Sequence, residues 1–259
     1  MPRDKFGGGD VSRLFLLGGC DKYHSKNFFF LIKSPCKKFF CMELKVVQEV
    51  EIVGCEVLRY DAEKNIFVSD KKLVAVEKCY EIRLNGKPFR KIFCSPNDLE
   101  DLIVGIIAQE KTSAAQIFSD VKFFAKDILN CADKLLGELS ITHDKTNGVH
   151  SGILFDGKEI LIFREDIGRH NVFDKIHGAA LRQKIFLDDK VLIFSGRCSS
   201  EMILKVVRMK IPVVVAKSVP TTYAINIAKK FGITLAGRLR ADSFCIYTNP
   251  QRIVLSWEG

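Results

Sequence analysis

VLIFSGRCSSEMILKVVRMKIPVVVAKSVPTTYAINIAKKFGITLAG, residues 191–237, decides the fold. Its three apolar runs, VLIF (191–194), VVVA (213–216) and ITLAG (233–237), are too short for helices and have no polar alternation. They read as strands buried on both faces. Residues 199–209 and 221–230, between them, carry helical spacing. Strands alternating with helices predict an α/β layer with a largely parallel sheet. FCIYT (244–248) adds a strand downstream. Upstream, GVHSGILF and KEILIF flank an Asp156-Gly157 turn, and residues 169–183 read as a helix.

Further upstream the texture is different. Residues 43–60 are rich in Val and Ile and read as one long strand or two short ones. Residues 61–65 make a turn, and residues 74–94 form a hairpin around Asn85-Gly86. Asn97-Asp98 can cap a helix over LEDLIVGIIAQE. Residues 113–136 carry a second helical pattern, with Ile117, Val121, Phe124, Ile128 and Leu135 along one side. The predicted organisation is a basic, Phe-rich extension (1–41), a smaller β-rich N-terminal domain (42–112) and an α/β domain (113–259).

Bulk properties narrow the class. The chain has 259 residues, 47% of them hydrophobic, and a formal net charge of +9. Residues 1–41 hold eight Lys/Arg against three Asp/Glu, so more than half of the net charge lies there. That local charge has no nucleic-acid-binding motif beside it, and nucleic-acid binding ranks last among the functions considered. No apolar run reaches membrane-span length, so no membrane partner is expected. The nine cysteines are odd in number, several lie singly in apolar runs, and no two form a C-x-x-C pair. This suits a reduced, cytoplasmic protein without a zinc ribbon.

The chemistry concentrates where strands end. In open α/β sheets, ligands sit beyond the carboxyl ends of strands, near helix N-termini with free N–H groups. Three such junctions are legible. The first is Ser195-Gly196-Arg197-Cys198-Ser199-Ser200. The second runs through Ser218, Pro220 and Thr221. The third is Arg238-Leu239-Arg240-Ala241-Asp242-Ser243. Capping and turns alone explain any one of them. Three in succession, two with arginines, point to a phosphate-bearing ligand. The densest polar run is REDIGRHNVFDK, residues 164–175. There His170 and Asp174, four apart, can pair on one helical face, and Arg169 can grip an anion. A salt-bridged helix start explains the same spacing.

REDIGRHNVFDK resembles the EDxGRHxAxDK motif of the FdhD/NarQ family of formate dehydrogenase accessory proteins. Companions follow in family order: Gly148-Val149-His150, Ser195-Gly196-Arg197 with Ser200-Glu201-Met202, Thr221-Thr222 with Ala224, GITLAG, and Tyr247-Thr248-Asn249-Pro250-Gln251-Arg252-Ile253. The resemblance covers roughly residues 74–253. It implies a cytidine-deaminase-like α/β/α domain, a homodimer, and transfer of sulfur from a cysteine desulfurase to the bis-guanine-dinucleotide molybdenum cofactor of formate dehydrogenase. GDP would mimic that ligand. The implied binding segment is Arg238 to Ser243, with Ser195, Gly196, Arg197, Ser218, Thr221, His150, Arg169 and His170 around it.

The chain departs from the family at the sulfur-carrying loop. Between Glu110 and His150 it has one cysteine, Cys131, in a helical pattern. Cys198 is the candidate substitute thiol, because a helix N-terminus and Arg197 beside it would lower its pKa. Two functions remain open: a sulfurtransferase with an atypical cysteine, and a non-catalytic chaperone that binds the cofactor or a guanine nucleotide. A zinc deaminase is disfavoured. His150 is followed by Ser151 and Gly152, so no His-x-Glu motif is present and no zinc is expected.

Overall fold

The computed structural model describes residues 14–19, 26–33, 39–46, 51–85 and 87–255. The chain separates into two compact units, one of residues 1–49 and 79–93, the other of residues 50–78 and 94–259. Most of the basic extension lies outside the described residues.

The first unit holds a sheet of order β1-β2-β3-β6-β7. Its strands are β1 (Leu14–Gly19), β2 (Lys26–Lys33), β3 (Phe39–Val46), β6 (Lys78–Leu84) and β7 (Lys87–Cys94). β1–β2, β2–β3 and β3–β6 pair antiparallel. Asn85, at the turn between β6 and β7, takes a φ of 52°. That left-handed geometry is what an Asn-Gly hairpin turn requires.

The second unit opens with a two-stranded ribbon, β4 (Ile52–Asp61) and β5 (Ile66–Ala75), in antiparallel register. Helix α1 (Leu99–Lys111) follows. Asp98 stands at its N-cap but makes no side-chain cap bond; its carboxylate lies 3.6 Å from Arg164 instead. The 113–136 helix expected from spacing is shorter than predicted. Residues 113–122 form no regular element, β8 is Phe123–Phe124, and α2 begins only at Ala125 (Ala125–Lys134). Tertiary partners claim the backbone of the lost part. Ile117 N–H donates to the Phe231 carbonyl at 2.9 Å, and the Arg252 guanidinium donates to the Ser119 carbonyl at 2.8 Å. Intrinsic helical preference is a weak prior against such bonds. A π-helical turn, Leu135–Leu139, and a short helix α3, Ile141–Thr146, complete the segment.

The centre of this unit is a six-stranded sheet of order β10-β9-β11-β12-β13-β14. Its strands are β9 (His150–Phe155), β10 (Ile160–Asp166), β11 (Val191–Phe194), β12 (Val213–Ala216), β13 (Thr234–Gly237) and β14 (Cys245–Thr248). β11–β12 and β12–β13 are parallel. β9 runs antiparallel to β10 and β11, and β14 antiparallel to β13. Helices α4 (Arg169–Gln183), α5 (Ser200–Met209) and α6 (Thr222–Phe231) connect these strands. A short strand β15 (Ile253–Val254) pairs with β8.

Two cores sandwich the sheet. Phe173, Ile176, Met202, Val206 and Ala228 pack on one face against Leu154, Leu192, Val214 and Leu235. Ile128, Cys131 and Leu135 pack on the other against Ile153, Ile193, Val215 and Ala236. Alternate residues of each strand thus serve opposite layers, which is why the strands are apolar throughout. Each fully buried aliphatic side chain contributes about 1.5–3 kcal/mol.

Helices α1 and α4 cross at two glycines. A Cβ at Gly105 would fall 1.8 Å from the Asp174 carbonyl oxygen, and one at Gly178 would fall 1.8 Å from that of Asp101. This close approach seats α4 and fixes where its N-terminus emerges.

Candidate functional site

The strand directions collect the sequence-predicted residues on one edge of the sheet. β10, β11, β12 and β13 run the same way, so Asp166, Phe194, Ala216 and Gly237 all end there. β9 and β14 run oppositely, so His150 and Cys245 start there.

Backbone bonds stitch the exits together. Ser195 N–H donates to the Ser151 carbonyl at 2.9 Å, and Lys217 N–H to the Phe194 carbonyl at 3.0 Å. Thr221 N–H donates to the Cys198 carbonyl at 3.1 Å, and Arg238 N–H to the Ser218 carbonyl at 3.3 Å. Gly237 permits the last approach, since a Cβ there would lie 2.8 Å from the Ser218 carbonyl oxygen. Gly196 is buried, and a Cβ on it would lie 3.4 Å from His150 Nδ1. The three junctions therefore converge.

Much of the polar motif at residues 164–175 is framework. Asp166 and Lys175 form an ion pair of 2.8 Å with neither side chain exposed. Asp166 also accepts from Ser95 N–H at 3.1 Å, Gly168 N–H at 2.9 Å and Asn171 Nδ2 at 2.8 Å. Lys175 donates to Asn97 Oδ1 at 2.8 Å and to the Glu165 carbonyl at 3.0 Å. Such saturation offsets the desolvation of a buried pair. The expected pairing of His170 with Asp174 is not found. Lys205, on α5, takes Asp174 at 2.5 Å, and His170 Nε2 meets Glu201 Oε2 at 3.0 Å.

The residues of that motif left for a ligand are Arg169 and His170, both half-buried. The buried Arg169 Nε and Ser199 Oγ have no hydrogen-bond partner. They stand at the N-termini of α4 and α5, which the His170–Glu201 contact joins. Burial, followed by the charges of Arg169 and His143, holds the His150 pKa below its usual value. Burial, followed by Lys205 and Arg169, does the same for His170. Both imidazoles are therefore chiefly neutral at pH 7.

Other predicted residues are partly spent on the framework. Ser195 Oγ accepts from Ser151 N–H at 2.9 Å, and Thr221 Oγ1 accepts from Ala224 N–H at 3.3 Å, capping α6. Arg197, Ser218, Arg238, Arg240, Ala241, Asp242 and Ser243 are exposed, whereas Leu239 is buried. Arg238 takes a left-handed φ of 55° that turns the chain sharply out of β13.

Cys198 corrects the expectation of a lowered thiol pKa. It lies in the core with 0% exposure. Burial pushes its pKa up to about 12, because no charge near it outweighs the loss of solvent. Cys131 is buried and likewise pushed up to about 12. Cys245 is exposed.

At the same edge, on the α2 side, a cavity of about 370 Å³ is lined by Leu129, Ala132, Asp133, Leu136, Lys217, Leu239, Arg240 and Ala241. Sequence reasoning missed Lys217, although it is the first residue beyond VVVA. It also missed the α2 wall, which no local pattern reveals. A second cavity, of about 420 Å³, lies at the opposite end of β9, under the Gly157 turn. The end of β9 at Phe155 reaches it, whereas Ser195, Lys217 and Arg238, beyond the ends of β11, β12 and β13, do not line it. Among the described residues, no cluster of three or more His, Cys, Asp or Glu is placed to hold a metal ion, and no helix is long and apolar enough to cross a membrane.

Comparison with known proteins follows the same lines. The model of the FdhD/NarQ family matches residues 106–254. The chain is 30% identical over 246 residues to the sulfur carrier protein FdhD of Geobacillus kaustophilus (strain HTA426), covering 73% of this chain and 93% of that one. It is 30% identical over 257 residues to the sulfur carrier protein FdhD of Staphylococcus aureus (strain MRSA252), covering 78% and 96%. A solved structure assigned as a formate dehydrogenase accessory protein, from Desulfotalea psychrophila, superimposes with a TM-score of 0.73 at 21% identity. It covers 79% of this chain and 100% of its own. That likeness shows a shared fold.

Proposed function

Since the chain belongs to the FdhD/NarQ family, we propose that it is an accessory protein of formate dehydrogenase maturation that holds the guanine-nucleotide end of the bis-guanine-dinucleotide molybdenum cofactor. One observation carries this reading: the exits of β12 and β13 open on a cavity lined by Lys217 and Arg240, together with Asp133 and the apolar Leu129, Leu136 and Leu239. Lys217 and Arg240 suit a pyrophosphate, with Arg240 able to offer two parallel N–H donors. Leu129, Leu136 and Leu239 suit the face of a planar ring. The unpartnered Arg169 Nε and Ser199 Oγ give a second anionic group of the cofactor two further donors.

The partners under this reading are formate dehydrogenase, which receives the cofactor, and a cysteine desulfurase upstream of it. The test is complementation. In a bacterium lacking its own FdhD, the wild-type chain should restore formate dehydrogenase activity, and Lys217→Ala/Arg240→Ala should not. Restoration by both proteins alike contradicts the assignment.

Sulfur carriage is the second reading, and one observation favours it. Of the cysteines among the described residues, Cys245 is the one that is both exposed and placed at the start of a strand on the carboxyl edge, opposite Gly237 in register. An accessible thiol there could accept a sulfane sulfur and pass it to a ligand in the cleft. Incubation with a desulfurase and labelled cysteine should then label the wild type and leave Cys245→Ser unlabelled. Absence of label on both proteins returns the site to a binding role alone.

A further inference from the structure

The cavity that Lys217 and Arg240 line also holds one acid, Asp133. Leu129 lies four positions before it and Leu136 three after, so its carboxylate shares a helical face with two leucines of the same lining. The other positions three and four away are Asn130 and Gly137. None of the four is basic, so the helix offers Asp133 no ion pair. Lys217 and Arg240 share the cavity with it, yet among the described residues neither forms an ion pair with it. Arg240 instead gives one guanidinium nitrogen to the Leu239 carbonyl, at 2.8 Å. The cavity is therefore bipolar. Cations stand on one side of it, and an acceptor with no donor stands apart from them.

We propose that Asp133 reads the base of the nucleotide held in this cavity and selects guanine over other purines. The inference rests on the nucleotide reading of the cleft and adds the group that discriminates. A guanine nucleotide has the matching polarity. Its phosphates are anionic, and the far edge of its base carries two adjacent donors, N1–H and the 2-amino group. An ionised carboxylate has two acceptor oxygens and no donor. It takes both guanine donors in parallel, as it takes the fork of an arginine. The leucines beside it cover the ring face and keep water from the pair, in a cavity of about 370 Å³, a size that suits a small-molecule site.

The competing purines fail at the same atom pair. Adenine turns an unprotonated N1 to the carboxylate, acceptor against acceptor. Hypoxanthine keeps N1–H and lacks the 2-amino donor. Xanthine places an oxygen where guanine has that amine, and the carboxylate repels it. An acceptor that the ligand shuts from water and leaves unmet is the strong form of discrimination.

Calorimetric titration of the full chain with the diphosphates of guanosine, inosine, adenosine and xanthosine tests it, with wild type and Asp133→Asn compared. The wild type should prefer GDP to the inosine and adenosine diphosphates by at least about tenfold, the scale of a bidentate base contact. Asp133→Asn should lose GDP affinity by a similar factor and gain affinity for xanthosine diphosphate. Its amide oxygen accepts from N1–H while its N–H donates to the 2-oxo group. A gain of affinity cannot come from a damaged fold. GDP and ADP bound alike by the wild type, and both weakened by Lys217→Ala/Arg240→Ala, would overturn the role of Asp133 and leave the phosphate grip standing. So would equal GDP affinity in wild type and Asp133→Asn, or a variant that loses GDP without gaining xanthosine diphosphate. A wild type that binds none of the four overturns the nucleotide reading and this inference together.

Discussion

Asp166 and Lys175 stand 2.8 Å apart in an ion pair with no solvent exposure on either side. The pair ties the end of β10 to α4 and so holds Arg169 and His170 at the cleft. Removing one partner leaves the other charge buried without its counter-ion. Asp166→Asn and Lys175→Met should each destabilise the fold by about 3–5 kcal/mol. The double variant should lose less than the two singles together. Urea unfolding of the four proteins measures both statements; simple additivity would mean that the two groups are not coupled.

The α1–α4 crossing gives a second prediction. Gly105→Ala and Gly178→Ala each drive a methyl group into a carbonyl oxygen 1.8 Å away, and backbone cannot yield as a side chain does. A loss of about 3 kcal/mol each is expected, the upper range of overpacking. Gly137→Ala meets nothing within 4 Å and should be neutral or stabilising by up to about 1 kcal/mol. Thermal melting separates the three. Equal Tm values would deny the close crossing.

His177 should make stability depend on pH. Its ring is buried, and burial, followed by the charge of Lys205, pushes its pKa down to about 4. The unfolded chain therefore binds the proton first. Stability is fully present above pH ~6.5 and is lost as pH falls from there towards 4. The contribution is on the order of 3 kcal/mol at the acid end. His177→Gln keeps a polar group beside Gln109, which lies 3.3 Å from His177 Nδ1, and should remove that component of the slope. Unfolding free energies of wild type and variant at pH 7 and pH 5 test this; parallel pH profiles would refute it.

Thiol chemistry should divide along burial. Cys198, with its pKa pushed up to about 12, and Cys131, likewise at about 12, should resist iodoacetamide at pH 8 in the folded protein. Cys245 should be alkylated quickly, because it is exposed. Peptide mass spectrometry over a time course reads the order. Rapid labelling of Cys198 would restore it as a candidate sulfur carrier.

The second half of the fold was largely legible in the sequence because its strands serve two cores at once. A run such as VVVA admits no other reading once helices flank it. The convergence of Ser195, Ser218 and Arg238 followed from strand order, which short crossovers largely dictate. Residues 113–122 misled because their helical spacing competes with bonds from Phe231 and Arg252, which lie over a hundred positions away. The partner of His170 misled for a similar reason. Spacing offers Asp174, but Lys205 claims that carboxylate across the helix interface and leaves Glu201 for the imidazole. Cys198 looked reactive from its neighbours alone, and only its depth in the core reverses the sign. The outer wall of the cleft, Leu129 and Leu136, comes from α2 and the π-helical turn after it, which pack there through tertiary contacts that no local pattern encodes.

The central claim is that Lys217 and Arg240 grip a nucleotide phosphate at the carboxyl edge. Calorimetric titration of GDP into the wild-type chain and into Lys217→Ala/Arg240→Ala tests it most directly. The account predicts binding by the wild type and a loss of affinity of at least about a hundredfold in the variant, roughly tenfold for each charge-assisted contact. Equal affinity in the two proteins, or no binding by the wild type, would contradict it.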